Sequence, residues 1–173
     1  MKNNNSEITG EETLTFSNGS EYTGQVKDGK PHGEGTFIAL DGSGYEGQFE
    51  NGVPHGEVKF VASDGSQYAG QFKNGEPHGR GGFTASDGSQ YAGQWEDGKR
   101  HGNGTFTSPD GAEYTGGFKG DQMDGEGRFT FPDGSKYTGG FKAGNPHREG
   151  TMYDSGGQIV QKGTFQNGEY TGE

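Results

Sequence analysis

Five histidines, His32, His55, His78, His101 and His147, are the side chains best suited to metal or acid–base chemistry, and each follows a Pro or an Arg in the same local phrase. The first four are spaced by 23 residues and the fifth by twice that interval, so they occupy equivalent positions of consecutive units. Zinc takes its ligands at about 2 Å, whereas equivalent atoms two strands apart lie about 10 Å from each other. The histidines therefore read as turn residues and not as ligands. Asp41, Asp64, Asp87, Asp110 and Asp133 recur at the same interval, each followed by Gly. Paired acid–base work needs two carboxyl groups close together, and this spacing keeps them apart.

Gly24-Gln-Val-Lys-Asp-Gly29-Lys30 has most of a phosphate-loop pattern. Pro31 stands where Ser or Thr would hold magnesium, and no strand–helix–strand context follows. Gly93 to Lys99 repeats the spacing with Arg100 next, so the periodicity itself generates the pattern. No nucleophile elbow or zinc cluster stands apart from the repeat. The expectation is a chain with no catalytic residue, no metal and no cofactor.

The elements that carry these residues follow from a longer echo. Tyr22, Tyr45, Tyr68, Tyr91, Tyr114 and Tyr137 recur every 23 residues. Each precedes by two a Gly (Gly24, Gly47, Gly70, Gly93, Gly116, Gly139) and by four a bulky apolar residue (Val26, Phe49, Phe72, Trp95, Phe118, Phe141). A fixed period of this size marks a tandem array. Within residues 68–90, Tyr68, Gly70 and Phe72 alternate with Ala69, Gln71 and Lys73, the period of a strand with one apolar face. Asn74 to Gly79 reads as a turn-rich connection, and Gly81, Phe83 and Ala85 alternate as a second strand. Asp87-Gly88-Ser89 reads as a tight two-residue reversal.

The expected fold class is all-β: an elongated, twisted, single antiparallel sheet, a meander of tandem β-hairpins. At about 10 Å per hairpin the slab would be on the order of 60–70 Å long, and right-handed twist would make it a ribbon or trough. Tyr and Phe from every unit share one face, where rings can lie over strand glycines. The expected organisation is a disordered tail over residues 1–9 and a half-repeat cap over 10–21. Six repeats follow over 22–160, starting at 22, 45, 68, 91, 114 and 137, and a degenerate cap covers 161–173. The sixth repeat decays: Arg148 replaces a glycine, Met152 replaces a Phe, and the turn becomes Asp154-Ser155-Gly156-Gly157.

Composition narrows the partners. Leu, Ile, Val and Phe total 22 of 173 residues, which alone would argue for disorder; their periodic placement argues against it. The net charge is −11 and no repeat is net basic. A nucleic-acid partner needs a basic stripe to displace counterions, so none is expected. There is no cysteine, no apolar signal-peptide core at the N-terminus and no apolar run long enough to span a bilayer. A cytoplasmic protein is the default, associated with cytoskeleton or membrane.

The phrase Tyr68-Ala-Gly70-Gln-Phe72-Lys-Asn-Gly75-Glu-Pro-His78-Gly79-Arg-Gly81 resembles the MORN repeat (membrane occupation and recognition nexus), and the resemblance runs from residue 10 to about 168. It implies β-hairpin units in an elongated antiparallel sheet. MORN arrays occur in junctional membrane proteins, phosphoinositide kinases, a lysine methyltransferase, and cytoskeletal and ciliary scaffolds, and in the enzymes the catalytic domain lies elsewhere. This chain departs from the pattern at Val26, Val58, Trp95, Asp121 and Asp124.

A single sheet has no second layer, so its aromatic face is expected to stay partly exposed, and exposed apolar stripes mark binding sites. The leading reading is a non-enzymatic scaffold or adaptor that binds a protein segment, peptide or helix, along an aromatic trough. Tyr68, Phe72, Tyr91, Trp95, Tyr114 and Phe118 are its candidate partner-binding residues, with Trp95 as anchor. The alternative, which rests on the family resemblance, is a peripheral phospholipid-binding module on a membrane surface. Homo-oligomerisation through unpaired terminal strand edges is a further expectation.

Overall fold

A computed structural model of the chain describes residues 9–172. It divides into two compact units, Met1–Ser86 and Asp87–Glu173. The tail expected over residues 1–9 falls outside the described residues except for Thr9, which opens the first strand.

The first unit holds β1 (Thr9–Thr15), β2 (Glu21–Lys27), β3 (Lys30–Ile38), β4 (Gly44–Glu50), β5 (Val53–Val61), β6 (Gln67–Lys73) and β7 (Glu76–Thr84). The second holds β8 (Gln90–Glu96), β9 (Lys99–Thr107), β10 (Glu113–Lys119), β11 (Gln122–Thr130), β12 (Lys136–Lys142), β13 (Asn145–Tyr153), β14 (Ile159–Gln166) and β15 (Glu169–Gly172). Within each unit strand order follows chain order and neighbours pair antiparallel. The expected meander of tandem hairpins is the architecture found. Among the described residues there is no helix, so none is long and apolar enough to cross a membrane.

Two details of the hairpins differ from the sequence expectation. The second strand of each repeat begins one residue before the Pro-His phrase or its equivalent, at Lys30, Val53, Glu76, Lys99, Gln122 and Asn145, not after it: β7 starts at Glu76, where Lys73 pairs Glu76. The connection is therefore the two-residue loop Asn74-Gly75, with φ of 52° and 89°. Both central residues left-handed is the signature of a type I′ turn, whose twist matches the flanking strands. Asp-Gly-Ser takes the longer turn instead. In Ala62-Ser63-Asp64-Gly65 the Gly65 N–H donates to the Ala62 carbonyl and the Ala62 N–H to the Ser66 carbonyl. Gly65 is the left-handed residue that closes this type I turn. The Asp64 carboxylate accepts from the Ser66 N–H at 2.8 Å, an Asx-type lock on the same turn.

The Pro-His-Gly phrase forms a bulge inside the second strand. Gly70 pairs Gly81 and Phe72 pairs Pro77, so one residue of β6 faces three of β7. Gln71 fills the gap: its Oε1 accepts the Arg80 N–H at 2.9 Å. Gln25, Gln48 and Gln94 do the same for Glu34, Glu57 and Asn103. Successive repeats are also tied through their turns, as where the Gly52 and Gly75 N–H groups donate to the Pro31 and Pro54 carbonyls at 2.9 Å. A repeat is thus completed by its neighbour, the energetic hallmark of an array.

Candidate binding surfaces

The apolar face is built from a ring–glycine pair in five of the six repeats; in the second, Val58 stands in the glycine's place opposite Gly47. The Tyr22 ring lies flat against Gly35 on the neighbouring strand, where a Cβ would sit 2.3 Å from Tyr22 Oη. The missing side chain makes room for the ring, and the ring shields the bare backbone. The hydroxyl then reaches the bulge: Tyr22, Tyr68, Tyr91, Tyr114 and Tyr137 donate to the carbonyls of Gln25, Gln71, Gln94, Gly117 and Gly140 at 2.7–3.1 Å. Burial makes the phenolate costly, and it pushes Tyr68, Tyr91 and Tyr114 up to about 12. Tyr22, Tyr45 and Tyr137 are raised for the same first cause.

The expectation of a partly open ring column fails for most of the first-strand residues. Tyr68, Phe72, Tyr91, Tyr114 and Phe118 are all buried, at 5 % exposure or less. The rings cover one another edge to face: Tyr68–Phe72 at 5.1 Å, Tyr91–Phe118 at 5.0 Å and Tyr114–Phe118 at 5.1 Å. A T-shaped chain laid over glycines closes itself without a second layer, which the alternation of residue types does not reveal. In the column Val26, Phe49, Phe72, Trp95, Phe118, Phe141, Trp95 alone stays partly exposed. It stands edge-on to Tyr91, with ring centroids 5.2 Å apart.

Besides Trp95, the rings that remain partly exposed include Tyr45, Phe16 and those in or beside the second strands. In the first unit Phe16, Phe37, Tyr45 and Phe60 form a run of tilted rings with centroid separations of 5.9, 6.3 and 4.5 Å. Tyr45 also lies edge-on to buried Phe72 at 6.1 Å. In the second unit Phe106, Phe129 and Phe131 are likewise partly exposed.

Arg100 was not singled out as a binding or structural residue by its position in the sequence. It takes the place that Pro31, Pro54, Pro77 and Pro146 hold in other repeats, and pairs directly with Trp95. Its guanidinium sits over Tyr91, Phe106 and Phe118 at 5.8, 5.5 and 5.4 Å. Asp121 holds it there. The Arg100 N–H donates to Asp121 Oδ1 at 3.0 Å and Nη2 to the Asp121 carbonyl at 2.7 Å, while the Asp121 N–H returns to the Arg100 carbonyl at 3.0 Å. Asp121 replaces a turn glycine and accepts a φ of 72° to do so. Two departures from the repeat therefore answer each other, and together they roof the rings beside Trp95.

The histidines sit one to a bulge. His55 Nδ1 accepts the Asn74 N–H at 3.4 Å and Nε2 faces Glu50 at 3.4 Å; His101 faces Glu96 at 3.2 Å. Among the described residues no three His, Cys, Asp or Glu side chains gather as a metal site requires. The aspartates of the Asp-Gly turns are spent on Ser hydroxyl and amide donors, which hold Asp41, Asp64, Asp87, Asp110 and Asp133 below the ordinary carboxylate value.

No curated protein sequence matches the chain. Among solved structures, it is similar to the TCP domain of Drosophila melanogaster SAS-4 (dCPAP) in complex with a proline-rich motif of Ana2, at 12% identity over 90% of each chain with a TM-score of 0.49. It is also similar to the TCP10 domain of Danio rerio CPAP in complex with a peptide of STIL, at 12% identity over 92% of this chain and 99% of that one, with a TM-score of 0.24. The family model for the MORN repeat matches six consecutive segments, residues 22–44, 45–67, 68–90, 91–113, 114–136 and 137–158.

Proposed function

The chain belongs to the MORN repeat family, and from that premise we propose that it is a non-enzymatic scaffold module whose aromatic face binds a segment of another protein. The observation that carries this reading is the partly exposed indole of Trp95 in a column otherwise closed. Trp is among the side chains enriched at interface hot spots, since it offers a large rigid surface at little entropic cost. The six candidate residues then divide by role. Trp95 makes the contact. Tyr91 packs edge-on to it and is itself held by the chain of rings that runs through Phe118 to Tyr114. Tyr68 and Phe72 form the corresponding bed beside partly exposed Tyr45 in the first unit. The second-strand rings Phe106 and Phe129 extend the contact in the second unit.

Trp95 is the sole tryptophan, so its emission reports this surface directly. Proteins captured from lysate by the full chain are to be compared with those captured by Trp95→Ala and by Phe106→Ser, with far-UV circular dichroism confirming both folds. The expected result is a specific partner that shifts Trp95 emission on binding and loses at least about tenfold in affinity with Trp95→Ala. Unchanged affinity for both folded variants removes the aromatic face as the binding surface.

A further inference from the structure

The polar face of the first unit departs from the repeat in a coordinated way. At the end of β3 and β5 stand Ile38 and Val61, where the third to fifth repeats have Thr84, Thr107 and Thr130 and the sixth has Tyr153. Between them, on β4, stands Gly44, where other repeats have Glu21, Gln67, Gln90, Glu113 and Lys136. The three are cross-strand neighbours: Ile38 pairs Gly44 and Gly44 pairs Val61. Two aliphatic walls about 10 Å apart thus flank a position with no side chain, and the result is an apolar notch of about 230 Å³. Ile38 is 55% exposed in it. Fold stability does not account for this, because the third to fifth repeats fold with Thr at the Ile38 and Val61 position and with Gln or Glu at the Gly44 position.

The notch opens into a second compartment. Thr36, Glu46 and Lys59 line both, and the larger space, about 740 Å³, adds Glu11, Thr23 and Glu34. Lys59 stands directly opposite Glu46, so Glu11 and Glu34 leave this compartment with net negative charge. Thr36 and Glu46 lie two residues along their strands from Ile38 and Gly44, about 7 Å, and Glu34 lies two further.

We propose that this composite groove is a docking site for an extended basic segment of another protein, seated with an aliphatic or aromatic side chain between Ile38 and Val61 and a Lys or Arg within four residues of it beside Glu34 and Glu11. The apolar notch supplies the anchor, and the carboxylates select the charge of the occupant. The site lies on the opposite face from the rings beside Tyr45 and stands independently of the Trp95 reading.

The test restores the repeat. Gly44→Gln gives the notch the side chain that two other repeats carry there. Gly44 has no left-handed φ, and an added Cβ meets only the Phe37 carbonyl, at 3.2 Å. Val61→Thr changes polarity without changing shape and guards against a folding artefact in the first variant. Random nonapeptides displayed on phage are selected on the full chain, and the enriched peptides are synthesised and titrated by fluorescence anisotropy. The expected peptides carry Lys or Arg within four residues of a large apolar side chain. They lose at least about tenfold in affinity, the equivalent of 1.4 kcal/mol, for Gly44→Gln, Val61→Thr and Glu34→Gln, and bind Trp95→Ala as they bind the parent. No enrichment overturns the proposal. So do peptides that bind the two notch variants undiminished, which would mark a purely electrostatic contact, and peptides lost on Trp95→Ala, which would belong to the aromatic face.

Discussion

Gly127→Ala isolates the ring–glycine pair that lets so thin a sheet hold together. Gly127 has no left-handed φ, so alanine fits its backbone, and any cost comes from the methyl group. That methyl would lie 2.5 Å from Tyr114 Oη, 2.6 Å from Cε2 and 2.7 Å from Cζ. To restore ordinary contact the ring must retreat by about 1 Å. It has nowhere to go, since Tyr114 is fully buried between Phe118 at 5.1 Å and Phe141 at 4.9 Å. Overpacking of this kind costs about 1–3 kcal/mol. Pulling the hydroxyl away from the Gly117 carbonyl, now 2.9 Å distant, leaves a buried acceptor unpaired and adds about 1–3 kcal/mol. The smaller entropy of the unfolded alanine chain returns less than about 1 kcal/mol. A net loss of about 2–5 kcal/mol is expected, by the same magnitudes.

The assay is urea unfolding followed by Trp95 emission, which reports on the same unit. Tyr114→Leu keeps an apolar side chain but removes the three atoms the methyl would strike. In that background Gly127→Ala is expected to cost no more than about 1 kcal/mol, giving a coupling energy of about 2 kcal/mol or more in a double-mutant cycle. Gly10→Ala, whose methyl would meet nothing within 4 Å, serves as the neutral control. Equal costs for Gly127→Ala with and without the Tyr114 ring would refute the argument, whatever the size of the effect.

Burial holds Tyr68, Tyr91 and Tyr114 up to about 12, so the folded chain keeps phenol protons that the unfolded chain gives up from about 10. Stability is then fully present below pH 10 and falls as pH rises from 10 to 12; a flat urea midpoint across that window contradicts the buried hydroxyls. The aspartates of the Asp-Gly turns have folded values below 3.8, so their contribution is present above that value and lost as pH falls through the lower folded values, visible as an acid limb in the same titration. Arg100→Pro installs the residue of four other repeats yet is expected to destabilise the second unit by about 1–3 kcal/mol, since it removes the N–H that Asp121 accepts and the cation over three rings; a neutral or stabilising result in urea shows the Arg100–Asp121 pair to be incidental. With 25 acidic against 14 basic residues, no co-sedimentation with phosphatidylserine vesicles is expected at low salt, and binding there would favour the lipid reading over a protein partner.

The strand succession was legible because period survives in one dimension: Tyr, Gly and Phe at alternate positions name one face of one strand wherever they recur. Two things were not legible, for different reasons. Turn type depends on which of two Gly-containing phrases is flanked by paired residues, and both Asn74-Gly75 and Asp64-Gly65 carry acceptable residues for either turn; only register distinguishes them. Burial depends on ring tilt. Alternation says that Tyr68 and Phe72 share a face, but whether that face is wet is decided by Gly81, across the hairpin, which lets the Tyr68 ring lie down instead of standing up. The same logic moves attention to the opposite face. A repeat whose apolar side seals itself has no need of aliphatic residues on its polar side, and most repeats place Thr, Gln or Glu there. Ile38 and Val61 around Gly44 are therefore harder to explain by folding than any of the aromatics, although as single residues they depart from the repeat less visibly than Trp95 does. In an array, residues that repeat are accounted for by their neighbours. Arg100 and Asp121 break step together and answer each other, whereas Ile38, Gly44 and Val61 break step together around an open notch, which is the argument for an occupant from outside the chain.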